Sequence, residues 1–209
     1  MTLVELSLHD FTENLASDRP APGGGSVAAL AGALAAALCA MVSRLTVGKE
    51  KYRDAWADME RVRDRADQLV TRLLGLVDQD SQAYNEVLAA FKMPKGDDAQ
   101  KSARRAAIET AMKQASEIPM ETLRTIAQLE TLIGEVMDKG NPNCITDAGV
   151  AAQLIRTAAF GAAYNARINW SGINDKEFVK NHYDELSSLI KRIETSVDQF
   201  GEKVENALG

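Results

Sequence analysis

Residues 59–91 read MERVRDRADQLVTRLLGLVDQDSQAYNEVLAAF, and within them Met59, Val62, Ala66, Leu69, Leu73, Leu76, Ala83, Val87 and Phe91 recur at spacings of three and four, with one gap. That period places them on one face of an α-helix. The predicted helix runs from about Glu50 to Phe91, and the chain on both sides reads the same way. Towards the C-terminus, Met93-Pro94-Lys95-Gly96 is a break and a mixed-charge helix resumes near Asp98. It is expected to kink or divide at Pro119, which lacks the donor a helix interior uses, and to end at Lys139-Gly140-Asn141-Pro142. A nearly uncharged helix follows over about Asp147 to Trp170. The last starts at Asn174, with Glu177 as capping-box partner, and runs almost to the C-terminus. Towards the N-terminus, Ser7 and Asp10 open a short helix reaching about Ser17. PAPGGGS (20–26) reads as a loop, and Ser26 suits the N-cap of an Ala-rich helix ending near Val47-Gly48. No stretch alternates apolar and polar for long. The expected fold is all-α, a bundle of long, mostly antiparallel helices in a single domain over 1–209. Helices of this length, with small residues at Ala28, Gly32 and Ala36 allowing close helix approach inside the subunit or across a dimer, suggest a homodimer.

Composition removes several function classes. Asp and Glu number 30 against 24 Lys and Arg, a net charge of −6. With no basic cluster expected, nucleic acid is not expected as a partner. Residues 20–43 carry no charge and are long enough to span a bilayer, but the Pro-Gly start and weakly apolar alanines favour a buried core helix, so no membrane is expected. The start MTLVELSLHDF has acids and no basic n-region, so it does not read as a signal peptide. Cys39 and Cys144 form no CxxC pair, and His9 and His182 are the only histidines. A disulfide framework, a thiolate zinc site and a multi-histidine metal centre are all excluded. A cytoplasmic protein is expected, with no metal and no tightly bound cofactor. Any proton transfer then runs on carboxylates, lysine or tyrosine.

Three groups of residues sit where packing alone does not want them. Asp80 falls on the apolar stripe, between Leu76–Val77 and Ala83–Tyr84, while Asp78 points roughly 200° away around the helix. A carboxylate there must be paired, hydrogen-bonded or protonated, and burial raises its pKa as a general acid requires. The plain alternative is a structural Asp bonded to a neighbouring helix or a lysine. In PAPGGGS, Pro22, Gly23, Gly24, Gly25 and Ser26 let a ligand touch backbone beside a helix N-terminus that favours an anion. No Gly-Lys-Ser/Thr follows, so this is not a Walker loop, and a plain turn is the alternative. Asn165 and Asn169, four apart, hydrogen-bond either a ligand or neighbouring carbonyls. Lys49 and Tyr52 close the Ala-rich helix, where a lysine ordinarily complements the dipole.

Read in order, PAPGGGSVAA, LTVGKEKY, VDQDSQAY, MPK, GNPNCITDAGVAA and AAYNARIN resemble the cyclodeaminase domain of the formiminotransferase-cyclodeaminase family and its free-standing bacterial relatives, some of them methenyltetrahydrofolate cyclohydrolases. The resemblance covers about residues 5–205. It implies an all-helical domain, dimeric or part of a larger ring, acting on one-carbon tetrahydrofolates. It places the family's catalytic acid, the second aspartate of Val-Asp-x-Asp, on Asp80. It draws substrate contacts from Pro22, Gly23, Gly24, Gly25, Ser26, Lys49, Tyr52, Asn141, Asp147, Asn165 and Asn169. The substrate is expected to be a folate with a glutamate or polyglutamate tail, received by Lys49, Lys92, Lys95 or the glycine-loop helix N-terminus. The transferase half of the bifunctional enzyme has no counterpart in these residues, so a separate formiminotransferase is expected to supply 5-formiminotetrahydrofolate. Cyclodeaminase is ranked first, because Ser26 ends the glycine loop as in the bifunctional enzymes and a single buried carboxyl suits protonation of a leaving nitrogen. Cyclohydrolase is second, favoured by the GNPNCITDAGVAA stretch. A non-enzymatic helical scaffold is the reading from another class.

Overall fold

The stripe of residues 59–91 is buried except at its end, where Phe91 is exposed. It lies on one of six α-helices in a computed structural model that describes residues 2–209. The helices are α1 (Leu8–Leu15), α2 (Gly24–Arg44), α3 (Trp56–Phe91), α4 (Asp98–Lys139), α5 (Ile145–Trp170) and α6 (Lys176–Leu208). Short 3₁₀ turns lie at Leu3–Glu5, Glu50–Ala55 and Pro142–Cys144, and no strand occurs among the described residues.

Side-chain pairings give the helix directions. Along α3, Arg61, Arg72 and Phe91 meet Glu135, Glu121 and Arg104 of α4, in descending order, so the two form an antiparallel hairpin. In the same way Ser26 and Arg44 of α2 meet Asp80 and Asp67 of α3. Along α6, by contrast, the ladder Lys113–Asp175, Arg124–Glu185 and Asp138–Lys203 ascends, so α4 and α6 are parallel. The bundle is up-down-up-down-up from α2 to α6, with α2 packed on α3, α5 and α4.

Alanine explains why α2 lies in the middle. Ala28, Ala29, Ala33, Ala35, Ala36 and Ala40 are almost wholly buried, and short side chains let three neighbouring helices approach. A Cβ on Gly32 would lie 2.5 Å from Ile126 Cδ1, and one on Gly161 would lie 3.0 Å from the Ala28 Cβ. The Ala28/Gly32/Ala36 face is therefore used inside the subunit. α2 is long and apolar enough to cross a membrane, but about two thirds of its apolar window is buried against the other helices.

Several predicted boundaries need correction. α2 starts at Gly24, with Gly23 as N-cap and Ser26 inside the first turn, so Ser26 is not the cap. α2 also stops at Arg44, and α3 starts only at Trp56 because a 3₁₀ segment occupies 50–55. The cap of α6 is Asp175, whose side chain accepts from the Phe178 N–H, rather than Asn174. α4 runs unbroken through Pro119. Pro119 cannot donate to the Ala115 carbonyl one turn back, and Asn169 Nδ2 of α5 donates to that carbonyl instead, at 3.2 Å.

Candidate active site

A cleft of about 260 Å³ opens where the N-terminus of α2 meets the middle of α3, between α4 and α5. Pro20, Ala21, Gly23, Gly24 and Gly25 form one wall, Asp80 and Tyr84 another, and Ala115, Asn165, Ile168 and Asn169 the rest.

Asp80 reaches this cleft because of Gly25. A Cβ on Gly25 would stand 2.0 Å from Asp80 Oδ1, so only glycine lets the carboxyl sit against the α2 backbone. Gly23 has open space where its Cβ would be. The carboxyl lies at the first turn of α2, whose free N–H groups favour an anion. Ser26 Oγ lies 3.0 Å from Asp80 Oδ2, 3.0 Å from the Val77 carbonyl and 3.2 Å from Ser81 Oγ. Burial pushes the Asp80 carboxyl above the ordinary carboxylate range, and the Ser26 hydroxyl and backbone N–H pull it part of the way back. Asp78 faces elsewhere and accepts from the Leu3 N–H at 2.6 Å.

The two asparagines present acceptors. Asn165 Nδ2 donates to the Gly161 carbonyl, and Asn169 Nδ2 donates to the Ala115 and Asn165 carbonyls. Since only the NH₂ end of an asparagine side chain can donate to a carbonyl, these bonds orient both amides and leave each Oδ1 free. No lysine or arginine lines the cleft. Its polar side chains are thus acceptors in the main, suited to a ligand that carries N–H donors or positive charge.

The structure divides the residues predicted to bind substrate. Asp80, Gly23, Gly24, Gly25, Asn165 and Asn169 share the cleft. Pro22 is buried outside its lining, and Ser26 is fully buried behind Asp80, so Ser26 cannot touch a ligand. Lys49, Tyr52, Asn141 and Asp147 gather at the opposite end of α2, about 30 Å away at 1.5 Å per residue. There Tyr52 and Asn141 line a separate cleft of about 650 Å³. Asn141 already bonds Tyr52 Oη, the Leu45 carbonyl, Thr46 Oγ1 and the Asn143 N–H, which pin the turn between α4 and α5 to the end of α2. Lys49 and Asp147 both act electrostatically on the nearby Cys144, whose thiol is raised chiefly by burial. Cys39 lies in the core, its thiol pushed up to about 12 by burial.

Sequence reasoning missed Tyr84 and Ile168, one turn beyond Asp80 and Asn165, although helical spacing was the available signal. The expected lack of a basic cluster also needs correction, since Lys92 and Lys95, named above for the glutamate tail, continue within ten positions into three more basic residues. Lys95, Lys101, Arg104 and Arg105 surround a pocket of about 260 Å³ at the α3–α4 tip, with Lys92 at the end of α3.

The sequence profile of formiminotransferase-cyclodeaminase matches residues 7–188. The chain belongs to the formiminotransferase-cyclodeaminase family. Among its relatives, the methenyltetrahydrofolate cyclohydrolase of Methylorubrum extorquens is 38% identical over 184 residues, 88% of each chain. The formimidoyltransferase-cyclodeaminase of Mus musculus is 33% identical over 93% of this chain, which spans only 36% of the mouse protein. The crystal structure of formiminotetrahydrofolate cyclodeaminase from Thermotoga maritima superposes with a TM-score of 0.89 at 29% identity, covering 99% of this chain and all of that one.

Proposed function

We propose that the chain is a formimidoyltetrahydrofolate cyclodeaminase, with Asp80 as its catalytic acid. The observation that carries this reading is the half-buried Asp80 carboxyl, raised in pKa, in a cleft whose other free polar side-chain atoms are chiefly acceptors. Protonated 5-formiminotetrahydrofolate is an N–H-bearing cation and matches such a lining. In the reaction N10 attacks the amidine carbon, closing the five-membered ring through a tetrahedral carbon. The proton lost by N10 passes to the Asp80 carboxylate and from there to the departing nitrogen. The C–N bond then breaks, releasing ammonia and 5,10-methenyltetrahydrofolate with the positive charge conserved. Amide ion is too poor a leaving group to depart unprotonated, so delivery of this proton is the step a desolvated carboxyl accelerates. The cleft walls hold N10 and the amidine carbon together, which removes much of the entropic barrier to ring closure.

The folate's glutamate tail belongs, on this reading, to the basic α3–α4 tip, on the same two helices that carry Asp80, Tyr84 and Ala115. The α2 N-terminus is already taken by Asp80, and Lys49 is at the far end of α2. Cyclohydrolase activity is the second reading, favoured by the relative of matching length. There water adds to the methenyl carbon, the bond from that carbon to N5 breaks, and 10-formyltetrahydrofolate and a proton result. A scaffold without activity would leave the raised carboxyl in an open cleft unexplained.

The deciding experiment compares kcat/KM for 5-formiminotetrahydrofolate deamination with that for 5,10-methenyltetrahydrofolate hydrolysis, each above the spontaneous rate. Hydrolysis more than tenfold the faster reverses the order of the two readings. Asp80→Asn should lower turnover by about 10²–10⁴-fold, while Asp78→Asn, which faces the N-terminal segment, should be mild. Equal effects at both sites overturn the role of Asp80.

We further propose that the enzyme is a homodimer. α2 and α5 pack side by side and leave Leu34, Val150, Tyr164 and Ile168 at least half exposed, large apolar side chains that a second subunit would cover. Sedimentation should give a dimer at micromolar concentration, and a monomer there overturns this.

A further inference from the structure

We propose that Ser26 is the positioning residue for Asp80, its hydroxyl holding the carboxyl at the cleft in both of the charge states that proton delivery passes through. This rests on the reading of Asp80 given above.

Ser26 is fully buried, so its hydroxyl has only protein partners. It has one proton and stands 3.0 Å from each of two acceptors, Asp80 Oδ2 and the Val77 carbonyl. With Asp80 ionised, Ser26 donates to Oδ2. With Asp80 protonated on its other oxygen, Oδ1, from which the proton is delivered, Ser26 keeps its bond to Oδ2 or turns its own proton to the Val77 carbonyl. Ser81 Oγ, 3.2 Å away, completes either arrangement as donor or acceptor. The carboxyl therefore gains or loses a proton without moving and without a buried polar atom going unpaired, a loss that is costly in a desolvated wall. An alanine at position 26 offers neither bond. Among the described residues no other charged group competes. α2, α4, α5 and the 20–23 loop present no ionisable side chain to the cleft, and on α3 only Tyr84 does, while Asp78 faces the Leu3 N–H.

The test uses wild type, Ser26→Ala, Ser81→Ala and Asp80→Asn. The carboxyl of Asp80 is titrated by ¹³C NMR without substrate, its signal assigned by its absence in Asp80→Asn. Ser26→Ala removes a donor from the ionised form, so the Asp80 midpoint should move to higher pH. Its kcat should fall about tenfold or more, the scale of one hydrogen bond to a charged group, with KM within about twofold. Ser81→Ala, which leaves the Ser26–Asp80 bond in place and removes only the longest contact of Ser26, should shift the midpoint and kcat by clearly less than Ser26→Ala does. If Ser26→Ala is unfolded, Ser26→Cys, of similar volume and a weak donor, should show the same pattern. A folded Ser26 variant with wild-type kcat and an unmoved Asp80 midpoint overturns the proposal. Full turnover in Asp80→Asn overturns the catalytic reading instead, and the NMR midpoint still decides whether Ser26 holds the carboxyl.

Discussion

Asp80 is costly to keep where it is. Its carboxyl is half-buried and its pKa is raised chiefly by desolvation, so the fold binds its proton more tightly than the unfolded chain does. The stability from that proton is fully present at low pH and is lost as pH rises through the folded value. Asparagine does not titrate. Asp80→Asn should therefore be more stable than wild type at pH 7 in urea denaturation, with the gap closing as pH is lowered, even as turnover collapses. A variant less stable than wild type at pH 7 would mean that capping the α2 N-terminus outweighs desolvation. Asp80 was legible in the sequence because a charge on an apolar stripe breaks a pattern that needs no tertiary information. Ser26 was misread because Gly-Gly-Gly-Ser satisfies local capping preferences, whereas the group that meets this helix end comes from α3, 54 residues away. Lys49, Tyr52, Asn141 and Asp147 were grouped with Asp80 by motif order, which carries no distance.

At the scale of the elements, the continuity of α4 depends on a residue of α5. Pro119 leaves the Ala115 carbonyl without its helical donor, and Asn169 Nδ2 fills the place. The sequence shows the proline and hence an expected break, while the remedy lies 50 positions downstream and is invisible locally. A double-mutant cycle tests the account. Asn169→Ala should destabilise by about 1–3 kcal/mol, the cost of a carbonyl left unpaired. In a Pro119→Ala background the restored N–H can serve the Ala115 carbonyl, so the same change should cost clearly less. Equal costs in the two backgrounds would show that the Asn169 bond to Ala115 contributes nothing to α4.

The whole bundle is unevenly secured. Helix number, order and all-α class follow from periodicity and breakers, but the parallel pairing of α4 with α6 is a tertiary fact that no local pattern encodes. α2 is held by buried contacts on three sides, whereas α6 buries only Leu186, Ile193, Val197 and Phe200 among 33 residues. Phe178, Val179, Leu189 and Ile190 add partly buried apolar contacts, and the remaining attachment is polar. Lys113 pairs with Asp175, Arg124 bridges Glu117 and Glu185, Arg192 meets Glu130, and Lys203 meets Asp138. Each such partly exposed pair is worth little alone, about 0–1 kcal/mol, yet all depend on ionised carboxylates. Arg124 holds the Glu185 carboxyl below the ordinary range, and Lys113 does the same for Asp175. A carboxyl with a depressed folded pKa contributes stability that is present above its unfolded value, about 4, and lost as pH falls through the folded one. α6 should thus loosen before α2–α5 on acidification. Native-state hydrogen exchange at pH 7 should find α6 amides opening at lower free energy than those of α2. Brief pepsin digestion below about pH 4, where the stability these carboxylates contribute is being lost, should cut α6 first and leave a fragment ending near Trp170. Simultaneous loss of all helices at that pH would show instead that α6 is as firmly part of the core as α2.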